Sequence, residues 1–276
     1  MPACEASGCA ETTMAESAIN PTAGSFDCGD LQATVAMASK SGKRRFVIIN
    51  IGKVNIKFLI QVKVDISMSL RKEKAARLKV QVLEHTLKLI GKKAFEDIYV
   101  EDICEKVKIS KVTFFKYFPQ KEDVLLYHFR IWCLGRSVEL RQKPKEGMQG
   151  VYYLLDKLGD ECENHPGLML SLIGYLADSK RPPKPFPVKP EEKKLFFPEA
   201  DDVTSLEILS LDQMLEKFTL ESIMKKEITK TSSTRDITNL FITVFLGSIV
   251  SAHLTQQSPL KLYFRRNLDN LMKGLA

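Results

Sequence analysis

From Met68 to the C-terminus, apolar residues recur at the three- and four-residue spacing of amphipathic helices, and this periodicity constrains the fold more than any other feature. Residues 71–90 have an apolar stripe on one side of the predicted helix and Lys and Arg on the other. The stripe consists of Ala75, Leu78, Val82, Leu83, Leu87 and Ile90. Further helices are expected over residues 121–141, 147–163, 166–178, 203–229, 235–254 and 259–274. Because no strand pattern follows Met68, the sequence predicts an all-α fold.

One long break interrupts the helical pattern. Residues 180–202 contain six Pro, and Pro both lacks a backbone N–H and clashes with the preceding turn of a helix. We therefore expect a mobile loop in this segment, partly in the polyproline conformation.

The first 67 residues differ in character from the rest. Residues 1–39 are rich in small and polar residues without periodicity and are predicted to be disordered. Residues 44–66 alternate apolar and polar side chains around a Gly, which is compatible with a two-stranded hairpin. Since the composition changes at Met68, we interpret residues 1–67 as a disordered or non-native extension. The alternative is a genuine basic arm that binds nucleic acid.

The positive charge of the chain is concentrated in one segment. The net charge is +7, and residues 68–130 hold 14 Lys and Arg against 9 Asp and Glu. A local basic surplus favours a polyanionic partner, with nucleic acid ahead of an anionic membrane. A solvated charged face is the alternative explanation.

Several classes of function lack support in the sequence. No motif of a hydrolase, nucleotide-binding enzyme or zinc peptidase is present, and no basic-then-apolar signal peptide begins the chain. The most apolar window, residues 237–252, is shorter than the ~20 residues of a membrane span. Cys162 and His165 are spaced like metal ligands, but no second pair completes a site. We expect a cytoplasmic protein that is not an enzyme, with no metal, cofactor or membrane partner.

Two short helices joined by a three-residue turn are predicted between residues 100 and 118. The first is VEDICEKV, residues 100–107, and the second is KVTFFKYF, which Ser110 can cap and Pro119 ends. Such a pair is a helix-turn-helix, whose second helix can enter a DNA major groove. We expect one side of that helix to pack inward, formed by Val112, Phe115 and Phe118. The outward positions are expected to come from Lys111, Thr113, Phe114, Lys116 and Tyr117.

Residues 71–127 resemble the N-terminal domain of the TetR family of bacterial transcriptional regulators. The similar motifs are Ala94-Phe95, the run Tyr99-Val100-Glu101-Asp102-Ile103-Cys104, the turn Lys108-Ile109-Ser110, the recognition helix from Lys111 to Phe118, and Lys121-Glu122-Asp123-Val124. The resemblance implies a three-helix DNA-binding domain over residues 68–120. It also implies a larger helical domain over 121–276 that binds a ligand and dimerises.

The resemblance also assigns the residues that contact DNA. They are Tyr99, Lys108, Ser110, Lys111, Val112, Thr113, Phe115, Lys116, Tyr117 and Lys121. Lys108 stands where the family has a turn Gly, and Tyr99 stands where a Thr commonly caps the second helix. Phe115 occupies the position of a phosphate-binding Tyr and cannot donate a hydrogen bond to phosphate.

The ligand pocket and the dimer contact are assigned to the C-terminal helices. The pocket walls are expected to be Tyr152, Tyr153, Met169, Leu172, Ile173, Leu176 and Phe218, which favours an apolar or aromatic ligand; ordinary core packing is the alternative. The dimer contact is expected to use Phe241, Phe245, Ile249, Leu262, Leu268 and Leu271, with burial inside one subunit as the alternative.

Together these features predict a homodimeric repressor that binds a pseudo-palindromic double-stranded DNA operator and leaves it when a small-molecule effector binds. The alternative is a helical adaptor that uses the basic residues 68–130 to bind a protein or a membrane.

Overall fold

A computed structural model describes the backbone of residues 56–90, 93–178, 186–229 and 233–275, and the side chains of the first helix from Met68 onward. Its elements are α1 (Ile56–Ile90), a 3₁₀ turn (Phe95–Asp97), α2 (Val100–Val107), α3 (Lys111–Tyr117), α4 (Asp123–Gln142), α5 (Gly147–Asn164), α6 (Leu168–Leu176), α7 (Pro190–Phe196), α8 (Leu211–Met224), α9 (Thr234–Leu254) and α10 (Leu260–Met272). Every regular element in these ranges is helical, so the predicted all-α class is confirmed.

The N-terminal helices close around the buried stripe of α1. Val82, Leu83 and Ile90 from this stripe are enclosed together with Ile103 of α2 and Phe114 of α3. Because α3 is only seven residues long, its stability comes from this apolar packing and its cap rather than from helix propensity.

The C-terminal body is built from four helices, in which α5 and α9 each pack against both α8 and α10. Close approach between α5 and α8 depends on Gly150, since a Cβ there would lie 2.4 Å from the ring of Phe218. Helix α6 lies between this body and the N-terminal helices, because it contacts both α9 and the 3₁₀ turn. Helix α4 packs against α6 and α7.

The structure corrects the N-terminal prediction in part. Helix α1 begins at Ile56, so the hairpin predicted over residues 44–66 is wrong for residues 56–66. Residues 56–66 instead form the N-terminal turns of α1. Residues 1–55, including the predicted disordered stretch, lie outside the described residues.

The Pro-rich segment is also more structured than predicted. Within residues 180–202, α7 occupies Pro190–Phe196 and starts with Pro at its first turn, where the missing N–H would be unsatisfied in any case. Residues 179–185 lie outside the described residues. The helix expected over 203–229 begins only at Leu211, because the Ser210 backbone N–H donates to Gln213 Oε1 at 2.8 Å and fixes the start.

Helix α9 is longer than the apolar window suggested. Its 21 residues, Thr234–Leu254, are long and apolar enough to cross a membrane by length and composition alone. The side chains of Ile237, Phe241 and Phe245 are enclosed in the protein core, and the core helix of a soluble protein passes the same test. The length of α9 is therefore weak evidence for a membrane span.

Candidate DNA-binding surface and effector cavities

The turn before α3 fixes the direction in which that helix leaves α2. Lys108 adopts the left-handed conformation with φ +59°, which favours Gly and costs a residue with a side chain about 1 kcal/mol. Ser110 then caps α3, because its Oγ accepts a hydrogen bond from the Thr113 N–H at 3.1 Å. A Lys at this turn keeps the backbone geometry and adds an exposed charge beside the first turn of α3.

The inward face of α3 differs from the predicted one. Phe114 and Phe118 are fully enclosed, so the prediction that Phe114 can face outward is wrong. The two residues are four apart and thus share one side of the helix. Phe118 continues the cluster by stacking on Phe186, with ring centroids 5.4 Å apart and planes 15° apart. The aromatic residues of α3 thus anchor it to a segment far along the chain.

The outward face of α3 consists of Lys111, Val112, Phe115 and Lys116. Val112 is 81% exposed and Phe115 is 44% exposed, so the prediction that these two residues pack inward is wrong. Two ammonium groups beside two apolar side chains form a surface that can contact phosphates and thymine methyl groups.

Lys111 already has a partner inside the protein. Its Nζ forms an ion pair with Glu101 of α2, and both side chains are exposed. The hydrogen bond from Lys111 holds the pKa of the Glu101 carboxyl below its ordinary value. An anion that binds Lys111 must compete with this carboxylate, so Glu101 screens part of the positive face.

Other predicted DNA contacts have mixed surroundings. Tyr99 is 68% exposed, and Tyr117 is half-buried with Lys116 Nζ 5.9 Å from its ring centroid. Lys121, by contrast, forms hydrogen bonds within the protein. Its Nζ donates to the carbonyl oxygens of Phe95, Glu96 and Ile98 at 3.0, 3.1 and 3.1 Å. An ammonium has three N–H groups, so Lys121 ties the start of α4 to the 3₁₀ turn.

Residues 82–127 match the family model of the bacterial regulatory proteins of the TetR family. The resemblance to the TetR family is confirmed. The matched segment contains the C-terminal part of α1, all of α2 and α3, and the first turn of α4. A TetR-family domain of this kind indicates DNA-binding transcriptional regulation. No curated protein matches the chain at a significant level.

Three solved structures are similar to the fold. The first is a TetR transcriptional regulator from Rhodococcus sp. RHA1, with 15% sequence identity and a TM-score of 0.47; the match covers 74% of this chain and 100% of that one. The second is the transcriptional regulator FadR from Bacillus subtilis in complex with stearoyl-CoA, with 14% identity and a TM-score of 0.49, over 71% of this chain and 99% of that one. The third is the reduced form of NemR from E. coli, with 12% identity and a TM-score of 0.46, over 72% of this chain and 98% of that one. These identities and TM-scores are too low for a site or a ligand to be transferred from any of them.

A buried ion pair beneath the TetR-family domain was not predicted. Lys79 of α1 donates to both carboxylate oxygens of Glu192 on α7, at 2.9 and 2.8 Å, and the two side chains are 7% and 1% exposed. The ammonium also lies 4.3 Å from the ring centroid of Tyr127 and 4.8 Å from that of Phe186. Burial lowers the pKa of Lys79, and the hydrogen bond with Glu192 opposes that effect.

Of the two residues in this pair, only Lys79 could have been singled out from the sequence. Lys79 lies on the apolar stripe of α1, three residues after Ala76 and four before Leu83, both of which are buried. A Lys on such a stripe needs a partner. Glu192 could not be identified as that partner, because its segment was interpreted as a loop.

The predicted pocket residues do not converge on one cavity. A cavity of about 290 Å³ lies among the end of α5, α6, α9 and α10, and of the predicted set only Met169 lines it. Phe218 lines a different cavity of about 300 Å³ between α4 and α8. Tyr152 and Tyr153 instead hydrogen-bond through their hydroxyls to Asp269 and to Glu139. The remaining members, Leu172, Ile173 and Leu176, line neither cavity.

A further cavity of about 590 Å³ opens between α6 and the N-terminal helices. Ile90, Phe95 and Lys121 line one side, and Leu170 and Tyr175 line the other. Because its two sides belong to the TetR-family domain and to α6, an occupant of this cavity would contact both.

The predicted dimer residues lie mainly inside the subunit. Phe241, Phe245 and Leu268 are fully enclosed, and Ile249 is 5% exposed, so burial within one chain accounts for them. Leu271 is half-buried, and of the predicted set Leu262 alone is exposed. The opposite face of α9 is also apolar, and it exposes Leu240, Gly247, Val250 and Leu254.

Proposed function

We propose that the protein is a sequence-specific transcriptional regulator that places α3 in the major groove of double-stranded DNA. The observation that carries this proposal is the outward face of α3, Lys111, Val112, Phe115 and Lys116, within the segment that matches the TetR family. The ammonium groups bind phosphates or guanine edges, and the apolar side chains pack against thymine methyl groups. Residues 68–120 act as the DNA-binding domain, and residues 121–276 bind the effector and dimerise.

The remaining contacts are made around the ends of the two short helices. Tyr99 and Lys108 reach the DNA backbone from the ends of α2, and Ser110, Thr113 and Tyr117 do so from α3. Because Phe115 cannot donate to phosphate, it contributes an apolar contact. That difference changes which operator sequence is preferred.

The decisive experiment is a binding-site selection with the full-length chain and random double-stranded DNA. We expect an enriched pseudo-palindrome, bound with an affinity that falls steeply with salt. Anionic vesicles and unrelated duplex DNA are the controls. Binding to vesicles but to no selected sequence would instead favour the adaptor, a helical protein that uses residues 68–130 on a membrane or another protein.

We also propose that the regulator is a cytoplasmic homodimer whose contact uses the exposed face of α9 together with Leu262 of α10. Two subunits related by two-fold symmetry would read the two halves of a pseudo-palindromic operator. Gly247 lies in the middle of this face, and a Cβ added there meets nothing within 4 Å in the subunit. A larger residue at Gly247 therefore leaves the subunit intact but obstructs a partner.

The dimer contact is tested by comparing Gly247→Gln with Gly174→Gln. Both glycines have open space around an added Cβ, but only Gly247 lies on α9. We expect the Gly247 variant to be a folded monomer by sedimentation and the Gly174 variant to remain a dimer. Two dimeric variants would count against this face.

For the effector, we propose the cavity among α5, α6, α9 and α10, and we propose that its occupant releases the repressor from DNA. Its walls are mainly apolar, with Met169, Ile249 and Phe264, and Gln256 and Gln257 supply polar groups. This composition suits a small apolar or aromatic molecule that carries one polar group. An occupant would displace α6, which contacts α4, and α4 would change the spacing of the two recognition helices.

The effector site is tested with Ala252→Phe, which fills the cavity from α9, where Ala252 is buried. A panel of small aromatic acids and alcohols is screened for release of the selected operator. Active compounds should fail on the variant, while its DNA affinity without ligand stays unchanged. Compounds that release both proteins equally would place the effector in another cavity.

A further inference from the structure

Three side chains that the DNA-binding proposal does not use converge between α4 and α5. His128 lies in the second turn of α4, Glu161 in the last turn of α5, and His165 directly after α5. Glu161 Oε1 lies 2.7 Å from His128 Nε2 and 2.7 Å from His165 Nδ1. One potential ligand atom from each residue lies within 4.8 Å of the other two.

The cluster is largely removed from solvent. The side chains of His128, Glu161 and His165 are 10%, 14% and 29% exposed. Burying a carboxylate costs free energy unless cations or hydrogen-bond donors compensate. Here the imidazoles of His128 and His165 each lie within hydrogen-bond distance of Glu161 Oε1 and supply that compensation. Glu161 thus presents its carboxyl group to two imidazole nitrogens.

We propose that His128, Glu161 and His165 bind a divalent transition-metal ion of the Zn²⁺ class. Two imidazole nitrogens and one carboxylate oxygen are a ligand set that suits Zn²⁺, and three protein ligands leave a fourth position open. The set is absent from the sequence prediction, which considered Cys162 with His165. Glu161 in the last turn of α5 and His165 directly after it are four residues apart, while His128 comes from another helix.

Holding the ion requires the three ligand atoms to adjust their spacing. Ligand atoms bound to a tetrahedral Zn²⁺ at about 2.0–2.1 Å lie roughly 3.3 Å apart. The two 2.7 Å contacts would therefore lengthen by about 0.6 Å each as the ion replaces the shared protons. The two imidazole nitrogens, which lie within 4.8 Å of each other, would move to the same spacing. Rotation of the partly exposed His165 can supply this movement.

One ligand of the site borders the proposed effector cavity. His165 lines that cavity together with Cys162 and Gln256, whereas His128 and Glu161 do not line it. The metal site and the effector cavity are therefore neighbours through His165.

The ion would also join two parts of the protein. His128 is on α4, which begins just after the recognition helix, whereas Glu161 and His165 belong to the C-terminal body. Binding the ion fixes α4 against the end of α5. If the protein binds DNA as proposed above, the metal then alters DNA affinity; metal binding itself does not depend on that proposal.

The test uses the full-length chain, freed of metal with EDTA and then dialysed. Zn²⁺ binding is measured by competition with a chromophoric chelator, and Co²⁺ is added as a spectroscopic probe. We expect one ion per chain and the visible absorption of four-coordinate Co²⁺ with nitrogen and oxygen ligands. Glu161→Gln and His128→Gln should each weaken binding at least about tenfold, a loss typical of altered metal sites.

Two matched variants locate the ligands. His85→Gln removes a histidine of α1 that is outside the cluster, and Cys162→Ser removes the neighbouring thiol; neither should change metal affinity. Circular dichroism verifies folding, and if His128→Gln is unfolded, the more exposed His165→Gln decides. Equal binding by wild type and Glu161→Gln would overturn the proposal, as would a thiolate-to-Co²⁺ absorption band that disappears in Cys162→Ser.

The regulatory consequence is read separately from the binding site. The affinity for the selected operator is measured with and without saturating Zn²⁺ on wild type and Glu161→Gln. A change in the wild type alone supports the coupling. Zn²⁺ binding without a change in DNA affinity would retain the site and reject the coupling, and failure of DNA binding altogether would leave the Zn²⁺ titration unaffected.

Discussion

Helix α3, the proposed recognition helix, and the segment that leads into α7 meet in the same aromatic cluster, yet the charged residues of the two regions lie in opposite environments. On α3 the charged side chains are exposed, and Lys111 pairs with Glu101 at the surface. Below the cluster, Glu192 of α7 holds Lys79 in an ion pair that is almost completely buried.

This difference separates two uses of a Lys–Glu pair. An exposed pair contributes little to stability, because water screens the attraction and the side chains lose conformational freedom. Its ammonium therefore remains available to an external anion such as DNA. A buried pair cannot lose one partner without leaving an uncompensated charge. Lys79 and Glu192 thus attach α7 to α1, while Lys111 stays free to serve the proposed DNA recognition.

The largest expected effect separates the two faces of α3. Phe114→Ala should lower the free energy of unfolding by about 4 kcal/mol, since it removes a fully enclosed ring and leaves a cavity. Phe115→Ala should cost about 1 kcal/mol or less, because its ring is 44% exposed. Urea unfolding of both variants measures the difference, and similar losses would contradict the assigned orientation of α3.

Breaking the buried ion pair should have the second largest effect on the free energy of unfolding. Glu192→Gln leaves the Lys79 charge without its counterion and is expected to cost about 3 kcal/mol. Replacing both residues, as Lys79→Met with Glu192→Leu, should recover most of that loss, because no buried charge remains. Glu73→Gln is the matched control, since its pair with Arg77 on the same helix is exposed, and it should cost about 0.5 kcal/mol. If Glu192→Gln and Glu73→Gln lowered the free energy of unfolding equally, the buried pair would not differ from the exposed one.

The exposed lysines of α3 should affect binding without affecting stability. The double variant Lys111→Ala, Lys116→Ala should lose about 2 kcal/mol of operator binding and flatten the salt dependence by about two counterions. Its free energy of unfolding should stay within about 0.5 kcal/mol of wild type. Fluorescence anisotropy at several salt concentrations makes the measurement, and unchanged affinity at moderate salt would exclude α3 as the reading helix.

The smallest effect tests the surface pair itself. Glu101→Gln removes the carboxylate that competes with DNA for Lys111 and should tighten operator binding roughly twofold. The gain should disappear when Lys111 is already Ala. A gain of the same size in both backgrounds would mean that Glu101 acts on DNA through general repulsion rather than through Lys111.

The comparison of these regions also shows what could be predicted. Ser110, Lys108 and Pro119 specify the short helices through contacts with their sequence neighbours, so this part of the TetR-family domain was predicted from the sequence, and the all-α class followed from periodicity. The inward position of Phe118 was predicted correctly, but the predictions that Phe114 can face outward and that Phe115 packs inward were wrong. A seven-residue helix offers at most two turns of pattern, and which of these two rings is enclosed depends on the helices that pack against α3.

The sequence by itself therefore determined most of the helices after Met68, the helix-turn-helix and the basic character of its surroundings, because each depends on residues within a few positions of one another. Only the tertiary structure decided that Lys79 pairs with Glu192, that Phe241 and Phe245 are enclosed while Leu254 is exposed, and that His128 meets Glu161 and His165. The physical reason is that burial and ion pairing depend on distance in space, and no local pattern encodes which distant segment packs against a given helix face.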